Sequence, residues 1–253
     1  MTHPNIIKII CHDIGKHLGC YGVKSVSTKA IDALAKNGIL FENSYATSPG
    51  CSPSRAAIAT GMYPHNNGVL GLAHAHFGWS LDKKVNHIAK HFFKNNYSSI
   101  LFGLQHVTYN EKTLGFKKIF PERPADAVVK NIKENIDSNL FKKPFYAEIN
   151  FFEPHRPFDF GGVKPFKSKG ISVPKYIPNN HDTRKEFASM QGAIKKMDDS
   201  VAKIINILKR KNLYENTIIL FTTDHGIPFP RAKGTLYDAG IETSLIISYP
   251  KLK

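Results

Sequence analysis

Apolar and polar residues along the chain follow two periodicities. The run Ile6-Ile7-Lys8-Ile9-Ile10-Cys11 is β-branched almost throughout and ends in His12-Asp13-Ile14-Gly15, the pattern of a buried strand opening into a loop. Similar runs predict strands over 39–46, 98–102, 145–151, 218–223 and 244–248. Helical spacing predicts helices over 28–37, 85–95, 125–138 and 182–210. In the first of these, Ile31, Leu34 and Ala35 share a face and Gly38 stops the helix. In the last, Met190, Ile194, Met197, Val201, Ile204 and Leu208 are spaced four and three apart, a stripe that packs a core rather than a cofactor. Two stretches lack periodicity. One is 62–79, rich in Gly, His and Asn; the other is 159–180, rich in Gly, Pro and Lys, which reads as a long surface loop near a site. Strands alternating with helices predict an α/β fold with a mostly parallel central sheet and helices on both faces.

Composition narrows the class of partner. With 253 residues the chain has room for one large domain or two small ones, and 42% hydrophobic against 22% charged residues is a globular balance. The 35 Lys and Arg against 20 Asp and Glu give a formal charge of +15, which attracts polyanions. No recognition helix, RNA-binding aromatic motif or zinc-finger spacing is present, so nucleic acid is not the expected partner. No apolar run reaches spanning length, so neither is a membrane. Three cysteines without a C-x-x-C pair argue against a disulfide scaffold. The six-residue apolar run near the N-terminus is too short for a signal peptide. As written the chain is expected in the cytoplasm, or in the periplasm or outside the cell if a leader precedes the numbering.

In open parallel sheets, ligands bind beyond the carboxyl ends of the strands. Those positions here hold His12 and Asp13, the turn before Cys51, His106, His155 with Arg156, and Asp224 with His225. The aspartates are the firmer candidates, because a carboxylate ending an apolar strand needs a partner if it is buried. The mirrored doublets His12-Asp13 and Asp224-His225 supply two carboxylates and two imidazoles, enough to hold one divalent cation. In Ser48-Pro49-Gly50-Cys51-Ser52-Pro53-Ser54-Arg55, a Pro/Gly turn delivers a thiol to the start of a short apolar helix. Pro53 can sit in that first turn because it forfeits no intrahelical hydrogen bond there. Free N–H groups at a helix start favour anions and are expected to lower the thiol's pKa, with Arg55 one turn further on as a second donor. Taken alone, Cys51 is an ordinary buried cysteine. The loaded strand ends argue otherwise. Lys233, after a Pro-rich loop, can reach the same anion or stand as a solvated charge.

Cys51-Ser52-Pro53-Ser54-Arg55 with Thr60-Gly61 resembles the signature of the type I sulfatases, in which the cysteine is oxidised to formylglycine. The likeness extends over essentially the whole chain. It runs through Cys20-Tyr21-Gly22, Thr60-Gly61-Met62-Tyr63-Pro64-His65, Thr223-Asp224-His225-Gly226 and Lys233-Gly234-Thr235-Leu236-Tyr237. Within the family, Glu153-Pro154-His155-Arg156 and Gly226-Ile227-Pro228-Phe229-Pro230 resemble the heparan sulfamidases. The resemblance implies an alkaline phosphatase/sulfatase-like fold and metal-dependent hydrolysis of a sulfate ester or sulfamate on a sulfated sugar or glycosaminoglycan. It implies catalytic roles for Cys51, Arg55, His106, His155 and Lys233. It also implies a divalent cation, calcium in the first place, on His12, Asp13, Cys51, Asp224 and His225, and maturation by a formylglycine-generating enzyme.

The chain departs from the family pattern at several points. His12-Asp13 stands for two aspartates and His225 for a frequent asparagine, which lowers the site's negative charge and admits a transition metal. Leu104 stands where a lysine is usual. Relatives continue into a smaller C-terminal subdomain, so residues 1–253 are expected to be the N-terminal catalytic domain without it. Two other functions stay open: hydrolysis of a phosphomonoester or phosphonate monoester at a similar site, and binding of an anion or glycan by a truncated, inactive protein.

Overall fold

The computed structural model describes residues 3–252 apart from 75, 143, 168 and 169. Parts of the predicted loops 62–79 and 159–180, and both extreme ends of the chain, therefore lie outside the described residues. Among the described residues, seven strands form one sheet: β1 Asn5–Cys11, β2 Ile39–Phe41, β3 Ser98–Gly103, β4 Lys118–Phe120, β5 Phe145–Asn150, β6 Thr217–Thr223 and β7 Leu245–Ser248. Their order is β2-β7-β6-β1-β5-β3-β4. Strands β6, β1, β5, β3 and β4 run parallel, whereas β7 is antiparallel to β6 and β2 antiparallel to β7. The helices are α1 Lys29–Lys36, α2 Cys51–Thr60, α3 Pro64–Asn67, α4 Ile88–Lys94, α5 Ala125–Asn135, α6 His181–Arg210 and α7 Asp238–Ile241.

The two faces of the sheet are built differently. Ile7 and Ile9 of β1, Ile100 and Phe102 of β3, Ala147 and Ile149 of β5 and Ile219 and Phe221 of β6 enter the main apolar core. There they meet Val128 and Ile132 of α5 and the predicted stripe of α6, which is buried from Met190 to Leu208. Several of the intervening positions carry polar groups. Ser99 Oγ donates to Ala89 O of α4 at 3.2 Å. Lys8 and Glu148, facing each other across β1 and β5, form a buried ion pair at 2.8 Å. Tyr146 Oη and Asn150 Nδ2 also donate to Glu148, at 2.7 and 3.0 Å. Burial raises the Glu148 pKa, but the charges of Lys8 and then His87 outweigh it and hold the carboxyl at about 2. Lys8, the one interruption in the apolar run 6–11, thus belongs to a buried, charge-paired polar layer beneath α4.

Several boundaries differ from the sequence reading. The strand predicted over 39–46 ends at Phe41, and beyond it Tyr45 makes only an isolated bridge to Glu242. As an edge strand β2 has β7 as its sole neighbour, and its pairing stops where β7 begins. The helix predicted over 85–95 starts at Ile88 because His87 Nδ1 caps it, accepting from Ala89 N at 3.1 Å. α5 ends at Asn135 rather than 138, and α6 begins one residue early, capped by Asn180 Oδ1 on Thr183 N at 2.9 Å. β4, α3 and α7 are too short for their periodicity to be seen. Loop 159–180 holds only a single 3-10 turn at Phe160–Gly162 among its described residues. Because β6, β1, β5 and β3 are adjacent and parallel, their carboxyl ends open on one edge. The segments that follow them carry His12 and Asp13, His106, His155 and Arg156, and Asp224 and His225, whereas the Cys51 turn follows β2.

Candidate active site

Helix α2 is fixed to that edge from three sides. Gly50 enters it extended, at φ −129°, and Gly61 closes it in the left-handed region, its N–H donating to Ala57 O at 2.8 Å. Pro53 lies in the first turn, as predicted. Ser54 Oγ donates to the carbonyl of Asp224, Ser52 Oγ accepts from Ala73 N at 2.9 Å, and Gly234 N donates to Pro49 O at 3.0 Å. Cys51, the first helical residue, is buried.

Asp224 is the hub, with no solvent exposure. Its Oδ2 accepts from Arg55 Nε at 3.0 Å, and its Oδ1 accepts from the N–H groups of Asp13 and His225, each at 3.0 Å. His12 Nδ1 also lies 3.0 Å from Oδ2, although off hydrogen-bond geometry, and both His12 ring nitrogens are buried without a hydrogen-bond partner. Asp13, itself in the left-handed region at φ 54°, accepts from Lys233 Nζ at both oxygens, 2.9 and 3.0 Å. His225 Nδ1 faces the carbonyl of Gly226 at 3.0 Å, which places the proton of the neutral ring there. Its Nε2 lone pair then faces Asp13 Oδ1 at 3.3 Å, Asp224 Oδ1 at 3.6 Å and Cys51 Sγ at 3.3 Å.

This donor set fits a divalent cation. A nitrogen lone pair turned on two carboxylates is repulsive without a positive charge among them, and His12 offers unused nitrogens beside them. Ligand atoms of His12, Asp13, Cys51 and Asp224 all lie within 4.8 Å of one another, and His12, Cys51 and His155 form a second, overlapping group.

On the other side of Cys51 the site presents donors. Arg55 is 2% exposed, yet both its Nη groups are buried without a partner. His106, at φ 59°, keeps a buried, unpartnered Nδ1 and sets its Nε2 3.4 Å from Nδ1 of His74, the two rings stacked at 5.6 Å. The His106 ring centroid is 6.1 Å from that of His12, and His155 meets His12 edge-on at 5.2 Å. Asp13, His155, Arg156, Phe229 and Lys233 border a cavity of about 500 Å³ that opens to solvent.

The electrostatics correct one expectation. Burial, with the carboxylates of Asp224 and Asp13, pushes the Cys51 thiol up to about 12, against the opposing pull of Lys233 and Arg55. The helix start does not make it a thiolate: burial, with two carboxylates beside it, outweighs a helix terminus. Burial, then the Arg55 and His74 charges, push His106 down to about 3. Burial and Arg55 also hold His12 well below its ordinary value. For Asp224, burial acts upward, but the charges that His225 and His12 carry when protonated, and that of Arg55, hold the carboxyl well below its ordinary range. Burial lowers the Lys233 pKa and Asp13 more than restores it.

His12, Asp13, Cys51, Arg55, His106, His155, Asp224, His225 and Lys233 thus gather at one edge of the sheet. Lys233 is part-buried and engaged by Asp13 rather than standing as a free charge. Sequence reasoning passed over His74, which lies in a loop without periodicity; a histidine among its glycines was the available signal. It also passed over Ser54, whose bond to Asp224 is invisible without the fold.

The sulfatase family model matches residues 4–253. An ulvan-active sulfatase of Formosa agariphila is 28% identical over 284 residues, which cover 98% of this chain and 48% of that protein. Human N-sulphoglucosamine sulphohydrolase is 24% identical over 278 residues, covering 98% of this chain and 55% of the relative. A Bacteroides thetaiotaomicron structure, solved in the context of the metabolism of multiple glycosaminoglycans, superposes with a TM-score of 0.85 at 19% identity. The match covers 98% of this chain and 68% of that one, and shows a shared fold. The chain spans about half the length of the curated relatives it matches.

Proposed function

The chain belongs to the sulfatase family, and from that premise we propose that it hydrolyses a sulfate ester or sulfamate on a sulfated sugar, with a formylglycine made from Cys51 as nucleophile. The observation that carries this reading is Arg55. Its Nε is pinned to Asp224, and both Nη groups are buried without an acceptor one turn beyond Cys51. Leaving buried donors unmade is costly, and an anion with several oxygens supplies the missing acceptors. The net charge of +15, and the names of the two relatives, an ulvan-active sulfatase and an N-sulphoglucosamine sulphohydrolase, support a sulfated polysaccharide as the source of substrate.

His12, Asp13, Asp224 and His225, with residue 51, would hold the cation; calcium suits the carboxylates and a transition metal suits the imidazoles. When bound, the cation withdraws charge from the sulfate oxygens. The hydrated formylglycine presents two hydroxyls where the thiol stands. One gives its proton to a neighbouring carboxylate, Asp13 or Asp224, and attacks sulfur while Arg55 holds the sulfate oxygens. The bond from sulfur to the sugar oxygen or nitrogen breaks. The leaving atom takes a proton from His155 or Lys233 at the cavity mouth. His106 then removes the proton of the second hydroxyl, the carbonyl reforms and sulfate departs. Maturation calls for a formylglycine-generating enzyme.

The test is sulfate release from N-sulfoglucosamine and from a sulfated aryl ester after co-expression with such an enzyme. The mass of the Cys51 peptide establishes that sulfur has been lost. Release from either substrate is expected. A folded, modified protein that releases none overturns the reading, and one that turns over a phosphate or phosphonate ester instead replaces it.

A further inference from the structure

A second cavity, of about 440 Å³, shares a wall with the one at the candidate active site. The wall is segment 227–233, folded back on itself. The N–H groups of Phe229 and Lys233 both donate to Ile227 O, at 2.9 and 3.1 Å, and that of Ala232 donates to Phe229 O at 3.2 Å. Phe229 and Lys233 line the first cavity, while Ile227 and Arg231 line the second. The volume suits a sugar-sized ligand.

The lining joins aromatic and charged groups: Tyr176 and Tyr237, the cations Lys16 and Arg231, and the carboxylates of Asp238 and Glu242. The two cations are not equivalent. Lys16 is paired with Glu242 at 3.0 Å. Arg231 makes no ion pair among the described residues, and its guanidinium lies over the Tyr237 ring, 5.3 Å from the centroid. Its backbone is left-handed, at φ 62°, a conformation that costs a non-glycine residue energy and is held here by the fold-back. The result is an unpaired cation, preset over an aromatic ring, two residues from Lys233.

We propose that this cavity is a subsite for a second anionic sugar residue, the neighbour of the one whose sulfate is cleaved. Arg231 binds its carboxylate or sulfate, and Tyr176 and Tyr237 pack against its ring. The assignment rests on the sulfated-sugar reading above and extends it from a single sugar to a chain of at least two. Because segment 227–233 closes on itself, Arg231 and Lys233 keep a fixed separation, so substrate pays little ordering cost on engaging both.

The test is calorimetric titration of the unmodified protein with N-sulfoglucosamine and with a heparin-derived tetrasaccharide, in the wild type and in Arg231→Asn. Asparagine tolerates the left-handed region, so the substitution removes charge without adding strain. The tetrasaccharide is expected to bind the wild type more tightly than the monosaccharide. In Arg231→Asn that ratio is expected to fall about tenfold, and Arg231→Lys should recover most of it. If Arg231→Asn lowers the melting temperature, Tyr237→Ala carries the same expectation. An unchanged ratio, or a wild type that does not prefer the tetrasaccharide, overturns the subsite. Binding needs no turnover, so the two readings fail separately: lack of sulfate release with Arg231-dependent binding intact overturns the hydrolase alone, and turnover with an unchanged ratio overturns the subsite alone.

Discussion

Arg55→Lys isolates what the guanidinium does beyond carrying charge. The lysine keeps a cation beside Asp224, so the buried carboxylate is not stranded, but it removes the two Nη groups that find no protein acceptor. Each charge-assisted hydrogen bond to an anion contributes about 1.5–3 kcal/mol. Losing two weakens the hold on sulfate and on the charge developing in the transition state by about 3–6 kcal/mol. At about 1.4 kcal/mol per decade, kcat/KM for sulfate release falls ~10²- to 10⁴-fold. A second readout needs no catalysis. Sulfate at about a hundred times its Kd stabilises the wild type by about 2.7 kcal/mol. For a chain of 253 residues that is a rise of about 5–10 °C in Tm. Arg55→Lys should lose most of that rise while keeping a similar Tm without sulfate. If it retains both the sulfate shift and kcat/KM within about fivefold, the unpartnered nitrogens do not face the anion and the reasoning fails.

Acid should destabilise the fold in two steps. Burial holds His17 and His87 at about 4 against an ordinary 6.5, so the stability they contribute is complete above 6.5 and is lost as pH falls towards 4, about 3 kcal/mol each. Glu148, at about 2 against 4.5, adds a further loss below 4.5, and urea midpoints that stay flat between pH 6.5 and 4.5 would contradict the first step. Gly226→Ala should lower Tm by about 5 °C or more and impair sulfate binding. A Cβ there overlaps Ala239 O and lies 3.0 Å from Gly240 Cα, both backbone, so α7 must move away from the residue that follows His225.

What was legible in the sequence was whatever depended on local pattern. The apolar runs marked β1, β3, β5 and β6 and the long spacing marked α6, because burial on a sheet face or a helix stripe leaves a period in the chain. Strand β4, with three residues paired on one side only, leaves no such trace, and neither does the reversal of β7. The site divided in the same way. Asp13, Asp224 and their neighbours announced themselves as polar residues where apolar strands end, and Cys51 by the Pro/Gly turn that delivers it to a helix start. Their pairings did not, since Lys233 on Asp13, Ser54 on the Asp224 carbonyl and Lys8 on Glu148 are chosen by tertiary approach across 220, 170 and 140 positions of sequence.

The thiol is the clearest case of why local rules gave way. A helix start and Arg55 both favour an anion at Cys51, and read locally they argue for a thiolate. In the fold, Arg55 spends its Nε on Asp224 and Lys233 spends its ammonium on Asp13, so the two cations and two carboxylates balance one another. Burial then decides, and the thiol stays neutral with a pKa pushed up to about 12. A neutral, buried sulfur is a poor nucleophile, which agrees with the proposed conversion of Cys51 to formylglycine. The same balance means that a divalent cation brings charge the protein has not already cancelled. That charge, with the free face of Arg55, is what remains to meet a sulfate.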